Sequence, residues 1–521
     1  MAAMDVSATA TPSKVRLYVA IAAILVVIFA VLVIALALTR KPWNDEAMSA
    51  SAGLTLATKG YLAIPSFEER DPGMLDIHRR MYYIMPLQMM VMAAWYKIVG
   101  FSLFSTRMLA ALWAVVYFYA LFRLVKLFSA DSGVAWLAVA LTAFDYQIIS
   151  AAAFGRYDTM VAALGFSGYA LFMLLRERKF LLAMLASNAC IAAAGLTHPN
   201  GLVYFLGLWF LILYHDWRSL RFKHLAIAAV PYLVGGAAWG LYILQDVPAF
   251  KAQLFGNTGN RVGLWHPWKA LQNEIEYRWI RPYGLAAYEG GRMTALVKLK
   301  AIAILGYLAG VFGCLATPSL RARYRAFLML TGVHFLYFTF YEGMKFNYYL
   351  IHLLPFYLSA LAIFVHFLWR NRPALRFAVA AGLAALALVA VGGILMKIRV
   401  NDMRNSYDPA VAFIKQNASP NDMMFASCSF GFGVGFGPSL VDDAALGYYS
   451  GVRPRFIVME EIYRDNLNNF RANYPKVYQY YLTLISEYRP VYDWGDYKIY
   501  ERTSAATPVT AASMSASAAR D

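Results

Sequence analysis

The stretch YVAIAAILVVIFAVLVIALALTRKPWNDEA, residues 18–47, decides the architecture. Tyr18 to Leu38 is one unbroken apolar run, and a bilayer core needs about 20 such residues per helix. Lys14 and Arg16 precede the run, and Arg40-Lys41 follow it. It is too long for a signal-peptide core and no small-residue cleavage site follows, so it reads as an uncleaved anchor. Directly behind it stand two adjacent carboxylates, Asp45 and Glu46. Carboxylates at a membrane surface cost solvation unless water or a cation reaches them. One use of such a pair is general-base work on a hydroxyl acceptor. The plainer reading is that Asn44 or Asp45 caps an interfacial helix whose dipole the acids complement.

Outward from this stretch the chain stays apolar. Further runs lie near 107–127, 133–153, 159–175, 180–197, 201–214, 225–245, 297–316, 326–341, 348–369 and 375–397, which with the first predicts 11 spans. Pro86 to Val99 is too short to span and suits a helix lying in the interface. The composition agrees: 60% of the 521 residues are hydrophobic and 15% charged, with mean hydropathy +0.49. Soluble domains carry roughly a quarter charged residues. Disorder, a collagen-like fibre and a disulfide-stapled secreted domain are excluded as well. Cys190, Cys314 and Cys428 are scattered and form no metal-spaced pair.

The net charge of +17 is mostly a topology signal. With the N-terminus inside, the alternate loops carry Arg123/Lys126, Arg176/Arg178/Lys179, Arg218/Arg221/Lys223, Arg321/Arg323/Arg325 and Arg370/Arg372/Arg376. With Lys14 and Arg16 these make 16 basic residues, against the acids Asp5, Asp131, Glu177 and Asp216. Every short inner loop is basic, as the positive-inside rule requires. The excess is therefore no nucleic-acid footprint. Counting 86–99 as a span would break the pattern.

The expected organisation is a cytoplasmic N-terminus (1–17), a transmembrane module (18–397) with outer loops at 40–106 and 246–296, an outer α/β domain (398–503), and a disordered tail (504–521). In the outer domain the patterns predict helices at Ala410–Asn417 and near Asn466–Glu487. They predict strands at Met423–Cys428, Phe456–Met459 and near Tyr497–Glu501. Gly431–Gly437 (GFGVGFG) lacks the spacing of a nucleotide loop, and no Lys-Ser/Thr follows.

Other candidate residues gather at the outer ends of spans. Gly155-Arg156-Tyr157-Asp158 offers a planar cation for a phosphate and a carboxylate for an acceptor, or simply a local ion pair. His78, Arg79 and Arg80 precede the interfacial helix and suit a lipid phosphate, or lipid headgroups generally. His198-Pro199-Asn200-Gly201 is a turn in which His198 is the extra feature. Lys345, just before Tyr348, either snorkels or holds a phosphate. Asp145, deeper in its span, reads as structural. Trp265, Trp268 and Trp279 are belt residues or sugar-stacking rings.

The order of these parts resembles the GT-C membrane glycosyltransferases, especially the dolichyl-phosphate-mannose-protein mannosyltransferase family and its bacterial relatives, the lipid A aminoarabinose transferase group among them. The matching stretches are Trp43-Asn44-Asp45-Glu46-Ala47, Met85-Pro86-Leu87 leading to Val99-Gly100 and Arg107, Gly155-Arg156-Tyr157-Asp158, Thr197-His198-Pro199-Asn200-Gly201, and Lys345 to Pro355. They span most of residues 15–370. The resemblance implies an all-α polytopic membrane fold and a sugar donor carried on a polyprenyl phosphate, used at the outer face with inversion at the anomeric carbon. The acceptor is a glycan, lipid or protein hydroxyl, and no nucleic acid is involved.

By the same resemblance Asp45 is the catalytic base, and Glu46 assists or orients it. Arg156 and Lys345 face the donor phosphate, and Asp158 shapes the acceptor side. His198, Asn200 and Tyr348 are further substrate contacts. Many relatives carry Lys or His before the proline of the interfacial helix, where this chain has Met85; His78, Arg79 or Arg80 is expected to supply that phosphate contact. No cofactor is required by these residues, and a divalent metal at the paired carboxylates stays open. A transporter or flippase for a lipid-linked sugar is the rival reading. Compact size and short outer loops favour a bacterial inner membrane.

Overall fold

The computed structural model describes residues 12–67, 76–258, 266–285 and 298–503. Most of the N-terminal segment 1–17, residues 71–75 of the first outer loop, Trp265 and the tail 504–521 lie outside the described residues. The chain divides into two units, residues 1–64 with 72–403 and residues 65–71 with 404–521.

Among the described residues the first unit is helical, without a strand. Helix α1 (Pro12–Thr39) is followed by α2 (Asn44–Lys59), turned by 91°, and by α3 (Leu87–Val99), the predicted interfacial helix. Then come α4 (Leu103–Ser129), α5 (Ser132–Ala143), α6 (Tyr146–Ala152), α7 (Asp158–Leu175), α8 (Phe180–Thr197), α9 (Gly201–Asp216), α10 (Phe222–Ile243), α11 (Val247–Thr258) and α12 (Pro267–Asn273). Helices α13 (Ala301–Ala316), α14 (Pro318–Arg323), α15 (Arg325–Leu336), α16 (Leu354–Asn371) and α17 (Arg376–Val400) complete it. Two π-turns, Glu274–Ile280 and Tyr337–Tyr341, widen the chain near one end of the bundle.

The expected count of 11 spans is not reached on length and composition. Among the described residues five helices are long and apolar enough to cross a membrane, or seven if each bent pair is one span. The predicted span 133–153 is such a pair, bent by 70°. The cause is Asp145. Its Oδ1 accepts from Gln147 N (2.9 Å) and Ile148 N (3.3 Å), and its Oδ2 accepts from Tyr307 OH. A carboxylate that takes these amides starts a new helix instead of continuing the old one.

The bundle core centres on Phe166, Tyr169, Tyr204 and Phe356. Gly165 lets α9 approach α7: a Cβ there would come within 2.2 Å of the Tyr204 ring. Two buried histidines sit in this core, unmarked by any sequence motif. His334 Nε2 meets Tyr169 OH, and His352 Nδ1 meets Tyr204 OH, each at 2.9 Å. Facing outward, Leu233, Val234, Phe377 and Leu388 on α10 and α17 are each more than three-fifths exposed. Apolar surface of that extent has no place in water. The chain is an integral membrane protein.

The second unit holds a five-stranded sheet, ordered β2-β1-β3-β5-β4, from β1 (Met424–Phe425), β2 (Leu440–Val441), β3 (Phe456–Met459), β4 (Tyr488–Trp494) and β5 (Tyr497–Arg502). β1 pairs parallel with β2 and β3; β5 runs antiparallel to β3 and β4. Helix α18 (Asp408–Asn417) starts near its expected position. Gly431–Val434 forms a short helix, α19, rather than a ligand loop. The single helix expected near 466–487 is two, α20 (Glu461–Asn473) and α21 (Pro475–Ile485). Pro475 has no amide to continue α20 and occupies the first position of α21 instead. Ser66 and Phe67 of the first outer loop also belong to this unit: Phe67 bridges Asp442, whose amide donates to Ser66 O (2.5 Å). Burial pushes the Asp442 carboxyl up to about 7.

Candidate active site

Two helix N-termini meet at one arginine. Asp45 lies in the first turn of α2 and Asp158 in the first turn of α7, where the helix dipole favours an anion. Arg156 lies between them on the loop before α7. Its Nη1 donates to Asp45 Oδ2, its Nε to Asp158 Oδ2 (2.8 Å) and its Nη2 to Tyr157 OH (3.2 Å). The guanidinium also faces three rings: Tyr348 at 3.9 Å, Trp43 at 4.6 Å and Tyr157 at 4.8 Å from the centroids. A buried guanidinium over aromatic faces gains electrostatic stabilisation without water. Burial alone would lower its proton affinity, but Asp158, Tyr157 and Asp45 hold it well above the ordinary value. It is a fixed cation.

The two carboxylates differ in access. The Asp158 side chain is 3% exposed, whereas that of Asp45 is 37% exposed. Asp45 lines a cavity of about 230 Å³ together with Met48, Ser49, Tyr83, Ile84, Met85, Tyr157, His198, Pro199, Leu254, Phe346, Tyr348 and Tyr349. The lining is aromatic with few polar groups, the pattern of a built ligand site. His198 stacks on Tyr157 at 4.3 Å, and its Nδ1 accepts from Asn200 N (3.2 Å). That bond puts the ring hydrogen of the neutral tautomer on Nε2. The Asn200 side chain itself is buried and does not line the cavity.

Glu46 points away from the cavity. It is fully buried and meets Arg107 in a two-pronged pair, Nε to Oε1 and Nη2 to Oε2, both 2.9 Å. Oε1 also accepts from Gly155 N (2.7 Å), which ties the Arg156 loop to α2. Arg107 spends its remaining donors on the carbonyls of Ala37 (2.5 Å), Arg40 (2.8 Å) and Lys41 (3.1 Å), which end α1. Sequence reasoning named Arg107 within a matching stretch but gave it no role; its pairing with Glu46 is what the structure adds.

The structure brings Asp45, Arg156, Asp158, His198 and Tyr348 together. It does not bring Lys345 to the cavity. That ammonium donates to Phe338 O (2.6 Å) and Thr339 O (2.7 Å) and pairs with Glu274 at 3.5 Å. His78, Arg79 and Arg80 lie on the segment leading to Tyr83–Met85. Arg80 donates to Gln245 Oε1 (3.0 Å), and Gln253 fastens this segment through Arg80 O and Tyr82 N, both 2.9 Å. Among the described residues no group of three or more His, Cys, Asp and Glu side chains is arranged to hold a metal ion. Between Asp45 and Asp158 the cation is Arg156.

No protein-family model and no curated protein matches this chain. Among solved structures it is similar to ArnT from Cupriavidus metallidurans in the apo state, at 15% identity and TM-score 0.58, covering 94% of this chain and 97% of that one. It is similar to the same ArnT bound to undecaprenyl phosphate, at 16% identity and TM-score 0.56, covering 95% and 99%. The archaeal oligosaccharyltransferase AglB from Archaeoglobus fulgidus, in complex with an inhibitory peptide and a dolichol-phosphate, matches at 13% identity and TM-score 0.50, covering 93% and 74%. At such identities the likeness speaks for architecture alone, and it extends over nearly the whole length: the chain has the fold that ArnT and AglB share.

Proposed function

We propose that the protein transfers a sugar from a polyprenyl-phosphate donor to an acceptor hydroxyl at the outer face of the membrane, inverting the anomeric carbon. The observation that carries this reading is Asp45, a half-exposed carboxylate fixed by Arg156 on the wall of an aromatic cavity. With Oδ2 held by the guanidinium, Oδ1 accepts the hydrogen of the acceptor hydroxyl. The hydroxyl oxygen attacks the anomeric carbon from the face opposite the phosphate. The new C–O bond forms as the bond to phosphate breaks, the proton passes to Asp45, and the lipid phosphate leaves with the electron pair. Asp158 and Tyr157 keep Arg156 in register, so its charge stands beside the developing charges.

The leaving phosphate needs hydrogen-bond donors. Lys345 would have to abandon Glu274 and two carbonyls to reach it, so we assign that role to His198, through Nε2, and to His78, Arg79 and Arg80. Glu46 orients Asp45 through the shared first turn of α2 and through Gly155. Asn200 acts by fixing the His198 ring. Arg156 pairs with Asp45 and Arg107 with Glu46, so the chemistry is derived from these residues and no step is routed through a metal. The acceptor is a glycan, lipid or protein hydroxyl. We assign the protein to a bacterial inner membrane, with the N-terminus cytoplasmic and the second unit outside.

The flippase reading rests on broken helices with polar midplane sites. Here the break at Asp145 has its carboxylate saturated by two amides and Tyr307, which favours a cap over a transport site. Purified protein in vesicles, given a polyprenyl-phosphate sugar labelled on the sugar, separates the two. Label moved covalently to an acceptor supports transfer; label that crosses the bilayer still on its lipid supports the flippase.

A further inference from the structure

A buried cluster of four charges lies behind the aromatic wall of the cavity and has no part in the chemistry above. Glu274 and Arg278 belong to the first π-turn; Glu342 and Lys345 follow the second. All four are buried. Arg278 donates from Nη1 to Glu274 Oε2 (2.6 Å) and Phe338 O (3.1 Å), from Nη2 to Glu342 Oε2, and from Nε to Phe346 O (3.3 Å). Glu342 in turn accepts from the amides of Met344 (2.7 Å) and Lys345 (3.0 Å).

The arrangement has a physical cause. A π-turn shifts amides by one partner and frees carbonyls at its end. In apolar surroundings those carbonyls need donors. Arg278 and Lys345 supply them at Phe338 and Thr339. Two acids then balance the two cations, since an isolated buried charge is costly. The result is a chain segment fastened at the Glu342 side chain, at the Met344 and Lys345 amides and at the Phe346 carbonyl. Lys345 has φ 55°, a left-handed conformation that a lysine seldom adopts without such restraint. The residues that follow, Phe346, Tyr348 and Tyr349, line the cavity, and the Tyr348 ring covers Arg156.

We propose that Arg278, acting with Glu342, is a positioning residue: it anchors the Phe346–Tyr349 segment so that Tyr348 stays over Arg156 and the donor cavity keeps its shape. This rests on reading that cavity as the donor site. The cluster links residues more than 60 positions apart, so no local motif announces it.

The test uses the full-length protein in detergent–lipid micelles with 3-fluorotyrosine placed at position 348 and, as a control in the second unit, at Tyr480. Arg278→Lys keeps the charge and loses the fork; Glu342→Gln keeps the shape and loses the charge. Both are milder than alanine, which risks losing the fold. The expected result is a shifted or broadened fluorine signal at 348, an unchanged signal at 480, and a rise of tenfold or more in donor KM, with kcat per folded molecule within threefold of the parent. An unchanged signal at 348 in both variants overturns the anchor. A shifted signal with unchanged donor KM, or activity loss that merely follows the unfolded fraction, overturns the claim that the anchor shapes the donor cavity. If the parent protein transfers no sugar while the 348 signal shifts, the anchor stands as a structural fact and the donor-site reading fails.

Discussion

Replacing Arg107 by methionine puts the largest single strain on the site's foundation. Five N–H donors of Arg107 meet five acceptors: two oxygens of Glu46 and the carbonyls of Ala37, Arg40 and Lys41. Arg107 and Glu46 are both wholly buried. Removing one partner of a buried pair leaves an uncompensated charge and costs about 3–5 kcal/mol. Orphaning the carbonyls at the end of α1 adds about 1–3 kcal/mol. Arg107→Met should therefore lower stability by about 4 kcal/mol or more. Glu46→Gln/Arg107→Met removes the stranded charge but not the orphaned carbonyls. It should regain about 1–3 kcal/mol relative to the sum of the single changes, as groups in direct contact do. The assay is equilibrium unfolding in mixed micelles for the parent, both single variants and the double. A loss below about 1 kcal/mol in Arg107→Met, or strict additivity in the double, refutes the reasoning. The same set separates support from chemistry. In the folded fraction of Glu46→Gln, transfer should stay within about tenfold of the parent, about 1.4 kcal/mol of barrier, because Glu46 does not line the cavity.

Three further outcomes follow from the geometry. Tyr348→Phe keeps a ring over Arg156 and should leave donor KM near the parent value, whereas Tyr348→Leu removes a cation–π contact worth about 1–2 kcal/mol and should raise it about tenfold; equal effects of the two in steady-state kinetics count against the ring. Gly155→Ala would set a Cβ 2.4 Å from Thr106 Cγ2 and 3.1 Å from Glu46 Oε1. A cost of about 1–3 kcal/mol is expected in the same unfolding assay, and no loss would mean the Arg156 loop is not held tightly. In the second unit, burial raises the Asp442 carboxyl from 3.8 to about 7, so the folded state holds a proton that the unfolded chain releases. This contribution to stability is full below pH 3.8 and is lost as pH rises to about 7, at about 1.4 kcal/mol per pH unit. Hydrogen exchange in β3 and β5 of the intact protein should quicken over that interval, and Asp442→Asn should flatten the response; an unchanged slope in the variant rejects the assignment.

The parts of this protein that repeat along the chain were legible, and those that depend on distant pairing were not. Apolar length marked the helices, and a run from Pro86 to Val99 too short to span marked α3. That Asp45, Arg156, Asp158 and His198 form one site was legible only through the resemblance of their order to a known family; taken singly, each reads as a helix cap, a local ion pair or a turn. Hydropathy could not show the bend at Asp145, which depends on a side chain reaching two amides. Nor could it separate Asp45 from Glu46. These neighbours differ only in what lies 61 residues away, where Arg107 claims one and leaves the other to the cavity. Lys345 stood at the expected end of a helix, yet the π-turns that engage it have no sequence signature. Ser66 and Phe67 likewise gave no sign that they join the second unit, since their pairing is through the backbone.

The most direct measurement is a single-turnover transfer rate with a polyprenyl-phosphate sugar of defined anomeric configuration, for the parent and for Asp45→Asn matched in folded fraction. The proposed mechanism predicts a product of inverted configuration and a rate at least about a hundredfold lower in the variant, the lower end of what a positioned general base contributes. Retained configuration, or an Asp45→Asn rate equal to that of the parent, would contradict it.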